Sequence, residues 1–276
     1  MEHTVHHRSF KKRSGSINHY YITAYIGISL LNEKTNKPSE LSTYWNPKDI
    51  ELTKSKTKYY LSDSGILNMC AMVEGYINDI LNNICPFIKT ESEELKKLSD
   101  KTSIVKKIKV INEFLSIEDK NEELNLLLLM FQHRNNIIHS AKVSLERDIA
   151  NRINSSSKKI KKDYKNMCVN QLIKNVNDFK SLTFKEVLSL FSASHNYIEK
   201  IDNLLASKLD KQKYLEYNLK NDDKAKVFFK KFSTMNDKDR IKNRLIRFIE
   251  INYGIPSIEL QEENELNNLF NILKVI

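Results

Sequence analysis

Arg134-Asn135-Asn136-Ile137-Ile138-His139 brings a cation, two amides and an imidazole into one short stretch. Arginine presents a planar fork of N–H donors that fits phosphate oxygens. Imidazole exchanges protons near neutral pH. Together they suffice for RNA cleavage, because the 2′-hydroxyl of RNA is itself the nucleophile, so the pair calls for no metal and no cofactor. The stretch follows an apolar run, Leu126 to Phe131, that reads as buried. On a helix of about 3.6 residues per turn, Asn135 and His139 are i,i+4 neighbours on one face. Arg134 lies one step off that face, with a side chain long enough to reach round, and Ile137 and Ile138 are expected to continue the buried stripe. A helix end whose cationic residues are solvated or meet the last carbonyls accounts for the same residues. Both readings stand on this stretch alone.

Two further elements must position such a site. Upstream, Ile66, Met69, Val73, Ile77 and Ile80 fall on one helical face. Ser62-Asp63-Ser64 offers N-cap residues for that helix, and Pro86 stops it. Glu74 lies within it. Downstream, Phe184, Val187, Leu188, Phe191, Ile198, Ile201 and Leu205 mark the buried stripe of one or two helices between Leu172 and Leu209. The motif helix itself is expected over Glu122 to Ala141.

Arg134, Asn135 and His139 together resemble the Arg-Asn-x-x-x-His signature of the HEPN superfamily, all-α domains that act as metal-independent ribonucleases in bacterial toxins, phage defence and RNA processing. The Leu67–Leu81 segment with its acidic Glu74 resembles the first long helix of that family, and Leu182–Leu205 its closing helix. The resemblance covers residues 58–208. It implies a HEPN-like helical bundle with an N-terminal arm and extension over 1–57 and a small helical extension over 209–276. It further implies a homodimer whose motif helices meet, so that one His139 serves as base and the other as acid. Arg134 then stabilises the phosphorane-like transition state, and Asn135 orients His139 or holds a phosphate oxygen. Glu74 reaches the same cleft and fixes Arg134 by a bidentate pair, or is a solvated carboxylate. Asn136 is a supporting residue. Products would be a 2′,3′-cyclic phosphate and a 5′-hydroxyl. The partners implied are RNA, a second copy, and an antitoxin or other defence-system protein. A non-catalytic HEPN-like module that binds RNA or protein carries the same signature. So does a helical interaction protein in which Arg134 and His139 are structural.

Composition agrees with a helical, globular chain. Among 276 residues there are 5 glycines and 4 prolines, too few for many short strands and turns. Hydrophobic content of 40% and charged content of 29% are those of an ordinary folded domain. The net charge of +10 permits a polyanionic partner, although a lysine-rich composition alone produces it. Cys70, Cys85 and Cys168 have no metal-ligand spacing, and Cys70 falls on an apolar stripe. The odd count and the polar, basic residues 1–13 predict a cytoplasmic protein without a secretory leader. No apolar run approaches the roughly 20 residues of a membrane span.

Residues 1–16, with His3, His6 and His7, form a mobile basic arm; metal binding by these histidines is the lesser reading. Tyr20–Leu31 fits strand and helix periodicities, with helix favoured by its context. Residues 32–58 are a connection whose Tyr44-Trp45 pair plugs a core edge or stacks on a base, the former preferred. One or two amphipathic helices fill 91–119. Residues 146–165 are a charged surface loop. The tail holds helices near 227–229 and over 240–253, ended by Gly254 and Pro256, then an acidic helix over 259–276.

Overall fold

The computed structural model describes residues 3–90, 92–139, 143–232 and 237–256, and these are mostly helical, with no β-strand among them. In chain order the helices are α1 (Val5–Leu30), α2 (Ile50–Asn83), α3 (Glu93–Lys96), α4 (Ile104–Leu115), α5 (Glu122–His139) and α6 (Arg147–Ser155). They continue as α7 (Ser157–Asp163), α8 (Val169–Asn177), α9 (Phe184–Lys208), α10 (Lys211–Asn221), α11 (Asp223–Phe232) and α12 (Lys238–Tyr253). A 3-10 turn, Cys85–Phe87, follows α2 with Pro86 in it. No helix among the described residues is long and apolar enough to cross a membrane.

Internal contacts divide the chain into two compact units. One comprises residues 1–9, 76–116 and 198–276; the other comprises 10–75 and 117–197. They interleave along the sequence. The second unit holds the Arg134–His139 stretch. Its core is built from Ile66, Met69, Cys70 and Val73 of α2, Leu126 to Phe131 of α5, Leu172 and Val176 of α8, and Val187, Leu190 and Phe191 of α9, nearly all buried. Tyr21 of α1 stacks on Phe184 with ring centroids 5.3 Å apart, and its hydroxyl meets the Ser62 hydroxyl at 3.2 Å. A Cβ on Gly65 would stand 3.2 Å from the Tyr21 ring and 3.3 Å from Phe191, so this position in α2 is kept bare by close ring packing.

In the first unit, Ile108, Ile111 and Leu115 of α4 share a buried face with helical spacing. Ser103 caps α4 by accepting the Lys106 amide, and Ser116, in the left-handed region, closes it. Gly254 ends α12 at φ 76°, a conformation that favours glycine. A side chain there would also run into Arg8 Nη2 at 2.8 Å, which donates to the Glu250 carbonyl.

Residues 5–16 are helix, not a mobile arm, and His7, Phe10 and Ser14 are buried. The Glu74 helix begins at Ile50, so Ser62 lies inside it and is no cap. Tyr44 and Trp45 are 87% and 37% exposed and plug no core. The 146–165 loop is α6 and α7; Ile149, Ile153, Ile160 and Tyr164, buried at helical spacing, anchor it beneath a charged surface. Ile138 is 48% exposed and does not extend the buried stripe. The acidic helix expected over 259–276 lies outside the described residues.

Candidate functional site

The motif helix α5 is entered through Asn121, whose Oδ1 accepts the Leu124 amide at 2.8 Å. Glu122 and Glu123 fill its first turn and His139 its last, the charge order a helix dipole favours. The helix is buried on several sides up to His133, and its first exposed residue is Asn135. The change in burial falls within one residue of the motif, so the apolar part of α5 fixes where the polar end emerges.

Arg134 is half-buried and doubly held. Its Nη1 donates to Asn135 Oδ1 at 2.9 Å, and its Nη2 lies 3.3 Å from Glu74 Oε1. Glu74 reaches it from α2, four residues beyond Cys70. The Cys70 thiol, fully buried, lies 3.8 Å from the Met130 carbonyl and so packs α2 directly on α5. Burial pushes that thiol well above its ordinary pKa, with the Arg134 charge opposing weakly, so Cys70 is inert packing and no nucleophile.

His139 is exposed at the helix end, and no hydrogen bond joins it to Asn135 among the described residues. The Asn135 side-chain oxygen is instead engaged by Arg134. Asn136 turns to its own chain: Nδ2 donates to the Val143 carbonyl at 2.9 Å, and Oδ1 accepts the Val143 amide at 3.3 Å. Gln132, one turn earlier, donates to the Ser144 carbonyl and accepts the Glu146 amide. These two amides clamp the returning segment 143–146 along α5. Arg134, Asn135 and Glu74 are thus brought together, His139 stands further along the same helix, and Asn136 serves the backbone.

Six residues before His139, His133 projects roughly 120° away from it around the helix. The structure puts it in the core, 4% exposed, with both ring nitrogens buried and unpartnered among the described residues. Burial pushes its pKa down to about 4, which keeps the ring neutral near pH 7. It lines a cavity of about 540 Å³ with Tyr59, Tyr60, Asp63, Asn136 and Lys180. Burial raises the Asp63 carboxyl to about 6. The signal was a histidine at a core-facing position of α5; the polar neighbours come from distant parts of the sequence.

No family model, curated protein or solved structure matches this chain. The site therefore rests on its own geometry.

Proposed function

We propose that the protein is a metal-independent endoribonuclease of the HEPN type, acting as a homodimer. The observation that carries this reading is the guanidinium of Arg134. It is held from behind by Glu74 and from the side by Asn135, while His139 stands exposed at the end of the same helix. A fixed, half-exposed guanidinium is suited to a phosphate whose charge grows during reaction. An exposed imidazole suits proton transfer to and from solvent-reached substrate. The basic net charge favours an RNA partner, and Ile138 and Val143, 48% and 56% exposed beside the motif, offer an apolar surface for a second copy.

In this reading His139 of one protomer takes the proton of the ribose 2′-hydroxyl. The 2′-oxygen attacks phosphorus, the bond from phosphorus to the 5′-oxygen breaks, and His139 of the other protomer protonates that oxygen. A 2′,3′-cyclic phosphate and a 5′-hydroxyl result. Arg134 holds the non-bridging oxygens throughout. A cytoplasmic toxin or phage-defence effector, with an antitoxin or other defence protein as partner, is the setting in which such an activity belongs.

One observation favours a second reading, a non-catalytic HEPN-like module that binds RNA or protein: the Arg134 charge is already met by Glu74. Cleavage of RNA in EDTA by the wild type and by His139→Ala separates the two. The nuclease reading expects cleavage by the wild type and none by the variant. It also expects no cut where the nucleotide 5′ to the scissile bond is 2′-deoxy. RNA bound by the wild type but left intact would establish the binding module instead.

A further inference from the structure

Asp202 of α9 is completely buried, an unusual place for a carboxylate. Its oxygens are tightly held. The Thr4 amide donates to Oδ2 at 2.7 Å, the Thr4 hydroxyl to Oδ1 at 2.5 Å, and the Tyr76 hydroxyl to Oδ1 at 2.8 Å. Two imidazoles from the start of the chain face the same carboxylate. His3 Nδ1 lies 3.7 Å from Asp202 Oδ2, and the His3 and His7 rings are 4.4 Å apart. One ligand atom from each of His3, His7 and Asp202 can be chosen so that all three lie within 4.8 Å of one another.

We propose that His3, His7 and Asp202 form a site for a divalent transition-metal ion, zinc foremost, which ties the start of α1 to α9. Three observations converge on it. The donor set, two imidazole nitrogens and one carboxylate oxygen, is one that zinc takes, with a fourth position left for water. His3 Nδ1 is buried and has no hydrogen-bond partner among the described residues, yet it points at a carboxylate 3.7 Å away, beyond hydrogen-bond reach. Tetrahedral zinc spaces its ligands by about 3.3 Å, so an inward shift of up to about 1.5 Å at the widest pair closes the set. Finally, the surrounding groups already do what outer-shell groups do at metal sites. Thr4 and Tyr76 orient the carboxylate by hydrogen bonds to both of its oxygens. His6, although next in sequence to His7, faces Asp79 at 3.9 Å and lies outside the ligand set.

His3 is 30% exposed, so ions and the fourth ligand have access from solvent. The role assigned is a cross-link that stabilises the folded chain by mass action.

The test uses the full chain, stripped with EDTA and dialysed, then titrated with Zn2+ in a calorimeter, with bound metal counted by elemental analysis and Tm followed in parallel. One zinc per chain and a zinc-dependent rise in Tm are expected. His3→Ala, at a partly exposed position that tolerates truncation, is expected to abolish the tight binding, as is His7→Ala. Tyr76→Phe should weaken binding about tenfold by loosening Asp202, and His6→Ala should leave it unchanged. Absence of zinc uptake by the wild type, or uptake that survives both His3→Ala and His7→Ala, would overturn the site. Cleavage assays in EDTA are run well below the Tm of the metal-free chain, so loss of a stabilising ion here is not mistaken for loss of chemistry at Arg134 and His139.

Discussion

Arg134 Nη2 and Glu74 Oε1 stand 3.3 Å apart, on α5 and α2, with side chains 26% and 29% exposed. The two helices that carry them are packed through fully buried side chains, Cys70 and Val73 on one and Met130 on the other. The pair therefore inherits its geometry from the core and not from its own weak attraction. A pair this exposed contributes only about 0.5–1 kcal/mol to stability, so its effect belongs to positioning.

Glu74→Gln is accordingly expected to leave the melting temperature within a few degrees of wild type while slowing RNA cleavage about tenfold, a loss of about 1.4 kcal/mol of transition-state stabilisation. Arg134→Lys should not restore the activity lost in Arg134→Ala, because an ammonium cannot hold two phosphate oxygens in a plane. Single-turnover cleavage rates measure both. A Glu74→Gln enzyme as fast as wild type would remove Glu74 from the site.

Asn136 is expected to act on the backbone. Asn136→Ala should destabilise the chain by about 1 kcal/mol through the two lost hydrogen bonds to Val143. The Val143 amide should then exchange faster with solvent, while cleavage falls by less than about tenfold. Complete loss of activity with unchanged amide protection would instead put Asn136 on the substrate.

His133 makes stability depend on acid. The unfolded chain takes up its proton near 6.5 and the folded chain only near 4. Between these values the unfolded state binds the extra proton, so the stability present above pH 6.5 is lost as pH falls towards 4. The full loss is about 3 kcal/mol. Asp63 in the same cavity works with the opposite sign, since its carboxyl is raised in the fold. The comparison is therefore wild type against His133→Leu. Denaturant melts at pH 7 and pH 5 should show a smaller drop for the variant, and equal drops would refute the assignment.

Wild-type protein is expected to scatter light as a dimer at micromolar concentration, and Ile138→Glu to scatter as a monomer and lose cleavage together. Retained cleavage by a monomer would end the two-histidine mechanism.

The pattern of apolar residues by itself determined a helical chain. Repeated spacings of three and four residues leave a continuous core only if wound as helices, and so few glycines and prolines interrupt them. The same periodicity located α5 and α9 and set Cys70 in the core. It placed Glu74 on a helix without saying what it met, because the contact with Arg134 spans sixty residues and depends on how α2 and α5 pack. Local composition misled where charge masked a sparse stripe, as at Ile149, Ile153 and Ile160, and where polar residues were read as unfolded, as at His7. Only tertiary structure could decide these. A charged helix needs a single buried edge to be held, and the burial of His133 and Asp202 follows from neighbours that sequence keeps far apart.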